Sequence, residues 1–198
     1  MHGRTIATAL ALLTLSACEQ PASDIQVEKL PDVKASLPPV PQLPPPPHPL
    51  KWDDGTYSVY GVRKSATTSM DTDVEVTGYL VDIYQAPECP KDAVCKPASA
   101  PHAWIADVAG EQDKAKWIAV VGYAENQKAI DEAVAQAKRG AYKPPPPETG
   151  LLPIPVDFAV GNKIKVQARF TRVSGSGFNI SNGLLEYRSH TTLAAAAQ

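Results

Sequence analysis

No run of apolar residues in the sequence is long enough to cross a lipid bilayer. The longest, Thr5–Leu15, holds eleven residues, against the about 20 that a ~30 Å hydrocarbon core demands of a helix. A dominant charge is missing too. With 19 basic and 21 acidic residues the formal charge is −2, and no basic block occurs, so charge points to neither nucleic acid nor an anionic lipid surface. A phosphate-cradling glycine loop is absent, because "SGSGFN" lacks both the lysine and the following helix that such a loop needs. The serines of that stretch lie in a turn rather than in a Gly-x-Ser-x-Gly elbow. Histidine and cysteine, four and three in number, are few enough to be taken one at a time.

What is present begins at the N-terminus, "MHGRTIATALALLTLSACEQ". Arg4, with His2, makes a short basic start, the apolar run follows, and small residues close it, as in a secretory signal. The end of the run, Leu15-Ser16-Ala17-Cys18, resembles the lipobox of bacterial lipoproteins. That resemblance implies a signal peptide over residues 1–17, cleavage before Cys18, and acylation of Cys18 as the membrane anchor. Two or three acyl chains satisfy the rule that stable anchoring takes more than one. By the same resemblance, to enterobacterial lipoprotein sorting, Glu19 rather than Asp after the cysteine implies the outer membrane, so the expected location is the bacterial cell envelope, lipid-anchored. Loss of Arg4 with the signal moves the formal charge from −2 to −3.

Residues 19–50 hold ten prolines in 32 positions, including "LPPVPQLPPPPHPL". Proline fixes φ and removes the amide donor, so the segment favours extended polyproline II. With Cys18 it forms a tether, 18–50, that at ~3.1 Å per residue reaches up to about 100 Å. A second reading makes the proline run a ligand for an aromatic groove on a partner. The remaining residues suit one domain, 51–193, with a tail at 194–198.

Within that domain, alternation at Tyr57, Val59, Gly61 and Arg63 predicts a first β segment. "DVEVTGYLVDIY" (73–84) predicts a long strand bent at Gly78, where the apolar set changes face. "HAWIADV" and "KWIAVVGY" predict a hairpin across a polar turn. "AENQKAIDEAVAQAKRG" predicts a helix of about fifteen residues, N-capped by Asn126 and ended at Gly140. Ile130, Ala133, Val134 and Ala137 give it a narrow stripe suited to plugging one end of a sheet. "VGNKIKVQARFTRVS" and "ISNGLLEYRSHTTL" predict two last strands. The expected class is mainly β with one helix. The order of bent strand, hairpin, helix and two strands resembles the OB-fold, a small five-stranded Greek-key barrel.

Once Cys18 is acylated, Cys89 and Cys95 remain, in "PECPKDAVCKP". Their spacing is not the C-x-x-C of redox motifs, and an oxidising compartment favours a disulfide staple. A zinc site with His102 would need further ligands and matches no common spacing. His2 leaves with the signal, His48 lies in the tether, and His102 and His190 sit at strand edges where a solvated or capping histidine is ordinary. Asp53, Asp54, Asp71 and Asp73 lack the spacing of a calcium loop. The OB-like resemblance directs attention to the face of the second and third strands and to the loops after the first and fourth, and there to Trp104, Trp117, Tyr123, the Cys89–Cys95 loop and Phe178 as a possible ligand face. Lys163, Lys165, Arg169 and Arg172 supply some charge, but on the fourth strand, away from the stacking aromatics that single-stranded nucleic acid needs. The expected function is non-catalytic binding or structure, without cofactor or metal, and with an envelope protein or glycan as partner rather than nucleic acid. The alternative is an envelope enzyme using His102 or His190.

Overall fold

Five strands carry the fold: β1 (Thr72–Ile83), β2 (His102–Ala106), β3 (Ile118–Val121), β4 (Lys163–Val173) and β5 (Asn179–Ala194). The computed structural model describes residues 43–196 apart from 88, 91, 93 and 96. The signal segment, Cys18 and most of the proline tether lie outside the described residues. The described chain from Pro44 onward forms one compact unit.

β1 pairs antiparallel with both β2 and β4, β2 with β3, and β4 with β5. A short parallel pairing, Val120↔Leu185 and Val121↔Glu186, joins β3 to β5. The result is a mixed five-stranded sheet whose order, β1-β2-β3-β5-β4, leads back to β1. Alternation sets which side chains point inward. On β4, Ile164, Val166, Ala168 and Phe170 are buried, while Gln167 and Arg169 between them are exposed. Leu80, Ile105, Val120, Leu185 and Tyr187 complete the same interior. Burial of each large aliphatic side chain stabilises the fold by about 1.5–3 kcal/mol relative to exposure. Gly183 of β5 is obligatory, for it holds φ 88° and a Cβ there would meet the Phe170 ring at 2.2 Å.

Helices are more numerous than the sequence predicts: α1 (Val59–Lys64), α2 (Ala66–Ser69) and α3 (Gln127–Lys138). The β segment expected around Val59, Gly61 and Arg63 is α1 instead. Ser58 N-caps α1 through the Gly61 amide. Asp107, just past β2, accepts the amides of Val59 and Tyr60 at 2.7 and 2.8 Å, so a carboxylate at the helix N-terminus satisfies two otherwise orphaned donors. Gly61 belongs to this arrangement, since a Cβ would fall 1.8 Å from the Leu50 carbonyl oxygen. Upstream of α1, Tyr57 lies alongside β1, its amide donating to Glu75 and its carbonyl accepting from Thr77.

The change of face in β1 also differs from expectation. Gly78 pairs regularly with Ile164, and Leu80 is still interior. The register shift lies at Val81, between Leu80 and Asp82. Gly78 answers a different need: a side chain there would meet the Ala106 carbonyl oxygen at 2.9 Å and Val59 at 3.2 Å. The helix α3 begins at the Asn126 cap, whose side chain accepts the Ala129 amide, and Ala133 is its buried residue, while Ile130 packs against the core.

Candidate functional site

Strand alternation turns Ala103 and Ile105 of β2 inward and His102 and Trp104 outward. On β3, Ala119 and Val121 face outward yet are buried, because Trp104, Phe178 and Ile180 cover them. This makes a second, smaller apolar cluster on the outside of the sheet. Its rings interlock: His102 stacks on Tyr84 at 4.6 Å and meets Phe178 edge-on at 5.0 Å, while Trp104 lies 6.1 Å from His102 and 6.3 Å from Trp117. The Trp117 indole donates to the Glu111 carbonyl at 2.9 Å, and the Lys114 ammonium lies 5.7 Å from its ring centre. The half-buried Trp104 indole meets no acceptor among the described residues.

Of the aromatic residues singled out from the sequence, Trp104, Trp117 and Phe178 are thus brought together. Tyr123 is not. It sits in the interior against Phe158 and Tyr187, where burial pushes its hydroxyl well above the ordinary tyrosine range. His102 and Tyr84 join the outer face instead, and the two-residue step from His102 to Trp104 was the signal for the first of them. Cys89 and Cys95 form a disulfide in the β1–β2 loop, which removes both sulfurs from any metal set. The Ser99 amide donates to the Tyr84 hydroxyl at 3.1 Å, tying the loop to the aromatic face.

His190 belongs to a separate array. Its Nε2 lies 2.7 Å from Asp157 Oδ1, and its Nδ1 lies 2.8 Å from the Tyr187 hydroxyl. The imidazole thus bridges the Asp157 carboxylate and the Tyr187 hydroxyl. Asp157 also accepts from Thr192 at 2.6 Å. Burial alone would raise the Asp157 pKa, but the Thr192 hydroxyl and the His190 imidazole outweigh it and hold the carboxyl below its ordinary value. Tyr187 is fully buried, and desolvation pushes its hydroxyl above the tyrosine range. The array resembles a proton relay in composition, yet both imidazole nitrogens are spent on internal partners. His102 is likewise engaged, with Nδ1 2.9 Å from the Ala100 carbonyl oxygen.

A cleft of about 520 Å³ opens elsewhere, between α1, the β2–β3 turn and the β4–β5 hairpin. Arg63, Lys64, Lys116 and Arg172 line it together with Asp107 and Glu111. Among the described residues no group of three or more His, Cys, Asp or Glu could hold a metal ion. No protein-family model matches the chain, and no curated protein matches it in sequence.

Proposed function

We propose that the chain is a bacterial envelope lipoprotein, anchored through acylated Cys18 in the outer membrane, whose proline tether presents one non-catalytic binding domain to an envelope protein or glycan. The strand order, with the parallel β3–β5 pairing and a helix between β3 and β4, supports reading the domain as OB-like. The observation that carries the binding role is the gathering of Trp104, Trp117 and Phe178 with His102 on the outer face of β2, β3 and β5. Aromatic side chains exposing part of their surface and an uncommitted indole N–H supply both apolar contact and a directed donor to a partner. The disulfide loop at the rim fixes one border of that face.

Crosslinking and pull-down of the anchored protein test this reading in Trp104→Ala, Trp117→Ala and Cys18→Ser variants. The aromatic variants are expected to lose the partner while remaining membrane-bound, and Cys18→Ser to leave the membrane. An unchanged partner profile in both tryptophan variants removes the aromatic face from the function, and membrane association that survives Cys18→Ser removes the anchor.

The array of Asp157, His190 and Tyr187 is the observation that favours the enzymatic alternative. It is the weaker reading, because the tyrosine is wholly buried and neither the cleft beside α1 nor a smaller one lined by Tyr84, Ser99 and Asn126 includes any member of the array.

A further inference from the structure

We propose that the cleft between α1, the β2–β3 turn and the β4–β5 hairpin binds a small molecule carrying a doubly charged anion, in its simplest form a phosphomonoester, on an apolar body. The site is independent of the aromatic face. Its volume of about 520 Å³ lies within the roughly 300–1,000 Å³ typical of small-molecule sites.

The charge balance inside the cleft carries the inference. Two carboxylates face four cations there, and both carboxylates are already engaged. Asp107 spends its two oxygens on the amides that open α1. Glu111 accepts the Asp113 amide with one oxygen and the Lys116 ammonium, at 3.0 Å, with the other. Lys116 is therefore balanced by Glu111, while Arg63, Lys64 and Arg172 have no carboxylate partner among the described residues. The Arg63 guanidinium is held in place through one nitrogen by the Ala115 carbonyl, which leaves its other N–H groups for a ligand. Lys64 lies 5.6 Å from the centre of the Tyr60 ring. The Arg172 side chain makes no hydrogen bond or ion pair with any described residue.

Four cations against two carboxylates leave the cleft a net charge of +2, on a chain whose formal charge is −2, and make a local positive field that the sequence as a whole does not announce. Two guanidinium forks and one ammonium suit a tetrahedral dianion better than a single carboxylate. Tyr60, Ala66, Met70 and Val108 line the same cleft and offer contact to the apolar body. The phosphate could come from a soluble metabolite or from a lipid headgroup, and the chemistry of the cleft is the same for both.

Calorimetric titration of the full chain with phenyl phosphate tests the site. Saturable binding is expected that weakens as salt is raised, and about fivefold or more in Arg172→Gln. The Arg63→Gln/Arg172→Gln double variant is expected to lose most of the remaining binding, and Trp104→Ala to change nothing. Because Arg172 is exposed, its replacement leaves the core untouched, and the salt dependence of the unaltered chain gives a reading free of any folding defect. Phenol in place of phenyl phosphate should not bind. Flotation of the Cys18→Ser chain with phosphatidylcholine vesicles containing phosphatidic acid, abolished by Arg172→Gln, would support the site with a lipid source. Phenyl phosphate binding without flotation would support it with a soluble one. Absence of saturable phenyl phosphate binding, equal affinity in the double variant, or equal binding of phenol would each overturn the proposal. A partner lost only with Trp104 or Trp117 would leave the aromatic face standing even then.

Discussion

Asp107 and Asp157 show how far single side chains act from their own place in the sequence. Asp107 caps a helix 48 residues upstream, and that distance explains why α1 was illegible. Tyr57, Val59, Gly61 and Arg63 alternate as a strand would, and the residue that tips the balance toward helix belongs to the far end of β2. Asp157 fastens the end of β5 through His190 and Thr192. Its carboxyl is held below its ordinary value of 3.8 in the fold, so the unfolded chain binds the proton more readily. The carboxylate therefore adds stability above about pH 4 and loses that contribution as the pH falls through the lower folded value. Urea denaturation at pH 5 and pH 3 should show the unaltered protein falling further than Asp157→Asn, with the gap between the two narrowing in acid. A gap that stays constant would mean that Asp157 acts through packing alone.

Elements were legible where their signal is local and periodic. The buried face of β4 and the Asn126 cap of α3 follow directly from spacing and residue type. β1 was read correctly in extent but not in its kink, because Gly78 answers to Val59 and the Ala106 carbonyl across the structure, while the shift falls at Val81. Trp104, Trp117 and Phe178 were grouped by the OB-like resemblance and not by any local pattern, whereas Tyr123, just past β3, turned inward. The disulfide loop between β1 and β2 closes a ring with sequence separation 6. Chain-entropy arguments give such a ring about 2 kcal/mol of stabilisation. Cys89→Ser/Cys95→Ser should lower the melting temperature by about 4–8 °C while leaving the near-ultraviolet signal of the core intact. A loss of that signal at low temperature would show that the loop organises the fold rather than bracing its rim.

At the scale of the whole molecule, the pairings are unequal. β1 and β4 share eight residue pairs and β4 and β5 share ten, but β3 and β5 meet through two. The parallel seam is thus the weakest join in the circuit. Native-state hydrogen exchange should find the amides of Val120 and Val121 less protected than those of Val76 and Val166, which lie in the long ladders. Equal protection would mean that the sheet opens only as a unit. No local pattern in the sequence marks this seam, since parallel pairing depends on residues more than sixty positions apart.

That circuit has a further consequence for how the chain behaves among its own kind. A strand margin left bare is a template on which a neighbouring chain can add a strand. Here the side of β1 that faces away from β4 is occupied by Tyr57, whose amide donates to Glu75 and whose carbonyl accepts from Thr77. Along this margin, copies of the domain have little β1 backbone to offer one another, and a partner must read it through side chains rather than by extending β1.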